Sequence, residues 1–328
     1  MSPPDLPFSQ DPPALFPKDY LETPEGLVFA VVSATPEAGR VPACLRYRRT
    51  ASGGLEKIDT ERAKSLIEER FPQYLYHSES RAQRLQGVPL GPDLRTHRAL
   101  EGGAFLQSLQ IKSPRVSAAL ALMAFLAEGR AQRDRLGLSG SLRLGADREG
   151  SDIDLVAYRL SDFRRFQRRL RQGLEQGFLS PLREGDWREA HARRVSPLPF
   201  EEYLFHEQRK ANKALIFGIK CDLSLIEPER PEPEPVLRQR GLISLHARVL
   251  EDREAFGFPA RYRLDHPMVP EVLSFSQSYV GQVLTGEWLW ALGHLEETRS
   301  GQQRLVVGRD REATDGFIRL GAPAGGIR

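Results

Sequence analysis

The chain has 328 residues, of which 40% are hydrophobic and 28% charged, and its 47 basic and 44 acidic side chains leave a formal net charge of +3. This composition excludes a disordered chain and fits a folded protein of two or three domains. The two cysteines, Cys44 and Cys221, are too few for a disulfide framework or a zinc site. The nearly balanced charge does not by itself indicate a polyanionic partner.

The sequence also predicts where the protein resides. Its first residues lack the basic and apolar stretches of a secretion signal. The most apolar run in the middle of the chain, over residues 116–126, is too short to span a bilayer. We therefore expect a soluble cytoplasmic protein with no membrane partner. The sequence leaves the oligomeric state open.

The N-terminal region predicts a small α+β module. Residues 1–18 are rich in proline and should form a flexible or extended lead-in. Apolar runs over residues 26–32 and 41–47 predict two strands, and Asp59 is a suitable N-cap for a following helix. We place this module at residues 19–95 and find no catalytic constellation of its own within it.

A stretch in the middle of the chain has the clearest chemical pattern. It predicts a strand ending at Ser139, a tight turn at Gly140 and Ser141, and a second strand that carries Asp152 and Asp154. Because side chains alternate faces along a strand, both carboxylates point the same way, with α-carbons about 6.5 Å apart. Carboxylates at this spacing suit Mg²⁺ ions for phosphoryl or nucleotidyl transfer. The glycine allows backbone N–H groups to approach a polyphosphate closely.

Two helices should flank these strands. A Ser-Pro start signal predicts a helix over residues 113–132, packed against the sheet that carries the aspartates. An arginine-rich segment over residues 162–171 has apolar residues at helical spacing. Its arginines form either a solvated helix face or a basic surface that receives RNA or DNA.

A third helix and a third strand follow. The helix, over residues 199–213, carries Arg209 and Lys213 near its end. These cations either stabilise the helix C-terminus or hold nucleotide phosphates. The strand, over residues 215–226, carries Asp222 on the face opposite its buried side chains.

The last third of the chain predicts a separate barrel. Residues 228–235 alternate proline with charged residues and should form a stiff linker. Short strand candidates separated by turns then predict a small all-β barrel over residues 236–328. Exposed aromatic residues on such a barrel could stack nucleic-acid bases, although most should fill its core. The candidates are Phe275, Tyr279, Trp288 and Trp290.

The order Gly-Ser, glycine and Asp-x-Asp resembles the signature of the DNA polymerase β-type nucleotidyltransferase superfamily. The pattern is met by Gly140, Ser141, Gly145, Asp152 and Asp154. The family carries a third carboxylate on a later strand, and the best match is Asp222, which implies a helical insertion before it. The resemblance covers about residues 113–227. The alternative is an ordinary turn followed by a solvated strand edge.

The resemblance implies an α+β fold with a nucleotidyltransferase core of mixed sheet and helices at residues 96–227. It implies an enzyme that transfers a nucleoside monophosphate from a nucleoside triphosphate to an acceptor hydroxyl and releases pyrophosphate. Asp152, Asp154 and Asp222 would be the catalytic residues and would bind two Mg²⁺ ions. The candidate nucleotide-binding residues are Gly140, Ser141, Arg143, Arg209 and Lys213.

The acceptor is nearly undetermined, because one fold hosts many chemistries. The flanking modules and the arginine-rich segment weakly favour RNA or DNA. Two alternatives stay open at this point. The chain could be a nucleotide-binding regulator without turnover, or an adaptor that binds nucleic acid through the C-terminal barrel.

Overall fold

The computed structural model describes residues 15–110, 112–128, 135–194, 197–228, 230–309 and 315–322. The chain is α+β, as predicted. Most of the predicted lead-in lies outside the described residues, but Phe16 is already buried, with its ring centroid 5.7 Å from that of Tyr158. Within the described residues, the helices are all too short or too polar to cross a membrane.

The N-terminal module is a sheet with one long helix packed on it. Its strands are β1 (Tyr20–Glu22), β2 (Leu27–Val31), β3 (Arg40–Arg49), β4 (Leu55–Lys57), β5 (Leu75–Ser78), β6 (Gln83–Pro89) and β7 (Arg95–His97). They pair in the order β5-β6-β3-β2-β1-β7, and β4 pairs with β3. Helix α1 (Thr60–Arg70) begins as predicted, since the Asp59 carboxylate accepts a hydrogen bond of 2.9 Å from the Arg62 N–H.

A β-bulge at Arg46 divides strand β3. Val28 lies opposite Tyr47 and Phe29 lies opposite Leu45, so Arg46 is the extra residue between the two pairs. Leu45 therefore packs with Phe29 in the core beneath α1, whereas Tyr47 packs with Val28 on the other face. The bulge turns Tyr47 toward the central sheet.

The central module is a four-stranded mixed sheet with helices around it. The strands are β8 (Leu136–Ser139), β9 (Ile153–Ala157), β10 (Lys213–Ile216) and β11 (Ile219–Leu225). They pair in the order β10-β11-β9-β8, and β9 and β11 are parallel. The helices are α2 (Gly102–Ser108), α3 (Pro114–Leu126), α4 (Gly140–Arg143), α5 (Leu160–Glu175), α6 (Glu184–Ala192) and α7 (Phe200–Lys210). The cap predicted for α3 is present, because Ser113 Oγ accepts a bond from the Val116 N–H, and residues 129–134 lie outside the described part.

The two faces of the central sheet differ. Leu155 and Leu223 pack with Phe163 and Phe166 of α5 in the main core. Because side chains alternate along a strand, the aspartates of β9 and β11 occupy the opposite face. The arginine-rich helix α5 therefore covers the face away from the aspartates, and Arg169 donates a hydrogen bond of 3.0 Å to a carbonyl of α3. This position does not support the prediction of a basic surface beside the aspartates.

The C-terminal module is the predicted barrel. Its strands are β12 (Val236–Glu251), β13 (Ala260–Asp265), β14 (Glu271–Ser274), β15 (Trp288–Thr298), β16 (Gln303–Val307) and β17 (Phe317–Gly321). Strands β12, β13, β14, β16 and β15 pair in sequence, and β15 pairs with β12 to close a five-strand ring. Strand β14 ends at Ser274, and a 3₁₀ turn follows at Gln277–Tyr279, in which Ser276 Oγ accepts a hydrogen bond from the Ser278 N–H.

The proline-rich segment packs against both flanking modules. Its described residues 230–235 form neither helix nor strand. Ser33 Oγ of the N-terminal module donates a hydrogen bond to Glu232, and Ser300 of the barrel donates its N–H to Glu234 at 2.6 Å. The segment therefore connects the modules in a fixed position.

Candidate functional site

A row of polar residues crosses the central sheet. Ser139 lies opposite Asp154 between β8 and β9, and Asp154 lies opposite Asp222 between β9 and β11. Lys213 lies opposite Asp222 between β10 and β11. The structure thus places the predicted third carboxylate directly beside the Asp-x-Asp pair. Lys213 is a predicted nucleotide-binding residue that the structure also brings to this row.

Gly140 allows the turn after β8 to pass close to Asp154. Its φ of +71° is in the left-handed region that favours glycine. A Cβ at this position would overlap Asp154 Oδ2. Ser141 follows within the single turn of α4 and is half-buried. The two predicted turn residues therefore lie at the edge of the carboxylate row.

Asp152 and Asp154 both have raised pKa values. Burial raises the pKa of Asp154 to about 6, Lys18 opposes this rise, and the charges of Asp222 and Asp152 add to it. Burial also raises the pKa of Asp152, while Lys220 counteracts it. Negative charge is therefore concentrated here in partly buried groups, which favours a cationic ligand or counter-charge.

Two lysines of the β10–β11 hairpin lie beside the carboxylates. Lys220 Nζ is 3.6 Å from Asp152 Oδ1 and 3.0 Å from Glu189 Oε2. Lys213 Nζ is 3.9 Å from Asp222 Oδ2. Each aspartate at the ends of the cluster thus has one lysine partner from this hairpin.

A buried ion-pair network fixes the position of Lys213. Glu207 pairs with both Lys213 and Lys210, the latter at 2.5 Å. Burial alone would raise the pKa of Glu207, but Lys210, Lys213 and Arg194 outweigh it and hold the pKa far below its usual range. Lys210 Nζ also donates to the Ser278 carbonyl at 3.2 Å, which joins the network to the barrel.

The N-terminal module contributes Lys18 to the same face. Ser139 Oγ donates a hydrogen bond of 2.8 Å to the Lys18 carbonyl, and Lys18 Nζ donates one of 3.0 Å to Ser224 Oγ. Ser224 lies one row below Asp222 on β11, with the same side-chain orientation. Lys18 therefore lies beneath the carboxylate row and links Ser139 of β8 to Ser224 of β11.

Further cations lie near Asp152 and Asp154. Lys57, at the end of β4, interacts electrostatically with both aspartates. The same interactions place Arg46 and Arg193 close to Lys57. Two of these side chains belong to the N-terminal sheet and the third to the segment after α6, so both of these parts of the chain border the carboxylates.

Two predicted nucleotide-binding residues lie away from the carboxylates. Arg143 is buried, with its Nε donating to the Arg98 carbonyl at 2.6 Å and its guanidinium 3.3 Å from Glu101. Arg209 pairs with Glu287 of the barrel at 2.5 Å. The single turn of α4 directs Arg143 toward α2, and α7 directs Arg209 toward β15. The structure therefore does not bring these two arginines to the carboxylate row, and their predicted contact with a nucleotide stays a prediction.

The donor chemistry of the aspartates suits Mg²⁺. Asp152 Oδ1 is buried and has no hydrogen-bond partner among the described residues. A divalent cation would satisfy this oxygen and relieve the repulsion among the carboxylates. In the described ranges, no three His, Cys, Asp or Glu side chains converge as a preformed metal site. Lys213 and Lys220 instead lie within 4.0 Å of Asp222 and Asp152.

The chain is similar over most of its length to an uncharacterized archaeal protein. It is 30% identical over 333 aligned positions to "Uncharacterized protein MJ1086" of Methanocaldococcus jannaschii, and the alignment covers 92% of this chain and 98% of that protein. The chain belongs to the MJ1086 family. No protein-family model matches the chain, and no solved structure matches it.

In this MJ1086-family chain, sequence reasoning missed most of the surrounding cations. Lys220 could have been found, because it lies two residues before Asp222 and so shares its face of β11. Lys18, Lys57 and Arg46 are far from the motif in sequence, and no local pattern connects them to it. Only the packing of the N-terminal sheet on the motif brings them together.

Proposed function

We propose that the protein is a Mg²⁺-dependent nucleotidyltransferase of the polymerase β type. The observation that supports this most strongly is the pairing of Asp154 with Asp222 on parallel strands, next to Asp152 and the Gly140 turn. The reaction joins the α-phosphate of a nucleoside triphosphate to an acceptor oxygen and breaks the bond to pyrophosphate. The hydroxyl proton passes to solvent.

The charge balance around the carboxylates supports a polyphosphate substrate. Six cations lie near the three aspartates, and they still outnumber the acidic side chains when Glu189 and Glu207, which pair with some of them, are counted. A site for a cation alone has no use for this excess, whereas a complex of cation and polyphosphate needs both signs of charge. The cations that supply it are Lys18, Arg46, Lys57, Arg193, Lys213 and Lys220.

Each residue has a distinct part in this proposal. Asp152, Asp154 and Asp222 would hold Mg²⁺, which when bound offsets phosphate charge and aligns the reacting groups. Asn212 donates to Asp222 Oδ1 at 3.3 Å and so orients that carboxylate. Gly140 leaves room for backbone N–H groups to approach the phosphates.

A second candidate function concerns the barrel. Phe275 and Tyr279 are buried, but Trp290 is 40% exposed and Arg319 lies over its ring at 5.2 Å. An exposed tryptophan beside an arginine can stack an unpaired base. The barrel would then bind nucleic acid, either as the acceptor of the transferase or as an adaptor without transfer.

The test of the transferase is pyrophosphate release from each of the four ribonucleoside triphosphates, with Mg²⁺ and cellular RNA. The wild type is compared with Asp152→Asn/Asp154→Asn and with the control Asp93→Asn, whose carboxylate is exposed elsewhere. Release that only the double variant loses supports the proposal. Nucleotide binding without release would favour a regulator. A wild type that neither binds these triphosphates nor releases pyrophosphate from them would contradict the proposal for these donors.

A further inference from the structure

Three cations crowd one side of the candidate site. Arg46 and Arg193 both act on Lys57 as like charges, while Asp154 and Asp152 act on it as opposite charges. Lys57 and Arg46 come from neighbouring strands, and Arg193 follows α6. Like charges at close range raise the free energy of the folded protein unless an anion offsets them.

The three cations differ in their side-chain partners. Among the described residues, Arg46 and Lys57 form no side-chain hydrogen bond and no ion pair within 4.0 Å. Within the same residues, Arg193 forms one ion pair, with Glu189 at 3.8 Å on an exposed helix face, and its charge also acts on Asp152. Lys220, by contrast, is paired with both an aspartate and a glutamate. Asp152 and Asp222 thus each have a lysine partner from the β10–β11 hairpin, whereas Arg46 and Lys57 of the N-terminal sheet lie near the carboxylates without a direct ion pair among the described residues.

The fold holds this pair in place. Arg46 is the extra residue of the β3 bulge, and bulges redirect side chains next to functional sites. Tyr47, the next residue, belongs to a small apolar cluster, and Leu144, from the loop between Gly140 and Asp152, packs against that cluster. Arg148 of the same loop donates to the Leu55 carbonyl of β4 at 3.2 Å. The end of β4, with Lys57, is therefore fixed against the loop between Gly140 and the aspartates.

We infer that Arg46, Lys57 and Arg193 form a wall that binds the polyphosphate of the substrate opposite Asp152 and Asp154. This inference rests on the proposed function, because the polyphosphate is that of the nucleotide donor. It makes the N-terminal module part of the nucleotide site. A compact group of three cations, two of which form no ion pair among the described residues, suits a short chain of adjacent phosphates.

The experiment measures binding of inorganic tripolyphosphate by isothermal titration calorimetry, with and without Mg²⁺. Arg46→Gln/Lys57→Gln is compared with the control Arg48→Gln/Lys64→Gln, which removes the same charge from exposed positions on β3 and α1. We expect the first variant to bind about tenfold more weakly or worse and the control to bind within about twofold of the wild type. Each single substitution of the first pair is expected to cost part of this loss.

Thermal unfolding separates this loss from a structural effect. Because removing two crowded cations relieves repulsion, Arg46→Gln/Lys57→Gln should unfold at the wild-type temperature or above it. Equal tripolyphosphate binding by this variant and the wild type would overturn the inference, as would a wild type that does not bind. Binding that depends on Arg46 and Lys57, without pyrophosphate release from any triphosphate, would uphold the inference while the transferase proposal fails.

Discussion

Asp154 and Asp222 lie side by side on the same face of the sheet, as register partners on the adjacent parallel strands β9 and β11. Two carboxylates in this relationship repel each other unless a cation or a proton lies between them. The protein places Lys18 one row below this pair and Lys213 beside it, so part of the repulsion is offset within the chain. The remaining repulsion leads to a prediction about pH.

Asp154→Asn should stabilise the protein at neutral pH. The folded pKa of Asp154 is about 6, above the value near 4 of an unfolded chain. Protonated Asp154 therefore stabilises the fold at low pH, and this contribution is lost as pH rises from about 4 through 6. The substitution should raise the free energy of unfolding at pH 7 by roughly 1 kcal/mol, after allowance for solvent screening.

Urea unfolding at several pH values between 4 and 7 tests this prediction. The free energy of unfolding of the wild type should decrease as pH rises over this range, and that of the variant should decrease less. Asp93→Asn serves as the control, because Asp93 is exposed. A variant whose stability depends on pH as steeply as that of the wild type would contradict the assignment.

Gly140→Ala should disable the site, whereas Gly150→Ala should not. Both glycines have positive φ, but only at Gly140 would a Cβ overlap the Asp154 carboxylate, since nothing lies within 4 Å of that position at Gly150. Each alanine should cost about 1 kcal/mol of stability from its backbone conformation. The additional effect at Gly140, measured as lost pyrophosphate release, isolates the contact with Asp154. Equal loss in both variants would count against that contact.

The central site was predictable where its chemistry is local in sequence. Asp152, Asp154 and Gly140 lie within one strand-turn-strand segment, whose alternation and turn residues can be read directly. Asp222 was predictable because the apolar residues of its strand define which face it occupies. The register that places Asp222 opposite Asp154 depends on how β9 and β11 pack together. The sequence indicates this register only through its resemblance to the polymerase β-type superfamily.

Other features depend on contacts distant in sequence. Arg143 follows the Gly140–Ser141 turn, and Arg209 lies on the helix before the strand of Asp222. Both nevertheless pair with glutamates elsewhere, Glu101 and Glu287, because their helices direct them away from the aspartates. Lys18 approaches the aspartates through a left-handed backbone with a φ of +73°, which a lysine rarely adopts and no sequence rule predicts. The barrel and the α+β class were predictable because they depend on alternation and turns alone.

Arg209→Gln should lower stability and leave nucleotide affinity unchanged. Its guanidinium joins α7 to the barrel through Glu287, and both side chains are partly buried. Losing this pair should cost about 1 kcal/mol. The KM for the triphosphate should stay within about twofold of the wild type, as measured by pyrophosphate release. A large rise in KM without a loss of stability would instead indicate that Arg209 contacts the nucleotide.

Trp290→Ala tests the barrel as a nucleic-acid surface. A stacked base contributes about 1–3 kcal/mol, so the variant should bind single-stranded RNA roughly tenfold more weakly in a fluorescence anisotropy titration. Phe217→Ala removes an exposed aromatic from the central module and serves as the control. Equal RNA binding by wild type and Trp290→Ala would remove the barrel from consideration as a stacking surface.

Lys18→Met should weaken both the fold and the site, and Ser224→Ala distinguishes the two effects. Either substitution removes the hydrogen bond between Lys18 Nζ and Ser224 Oγ, but only the first removes the positive charge beneath Asp154. Each should lower the free energy of unfolding by about 1–2 kcal/mol.

Without Lys18 the pKa of Asp154 should rise further, because a charge that lowers it is gone. The pH dependence of stability should therefore shift upward in Lys18→Met and stay as in the wild type in Ser224→Ala. Identical pH profiles for the two variants would show that Lys18 acts only through its hydrogen bond.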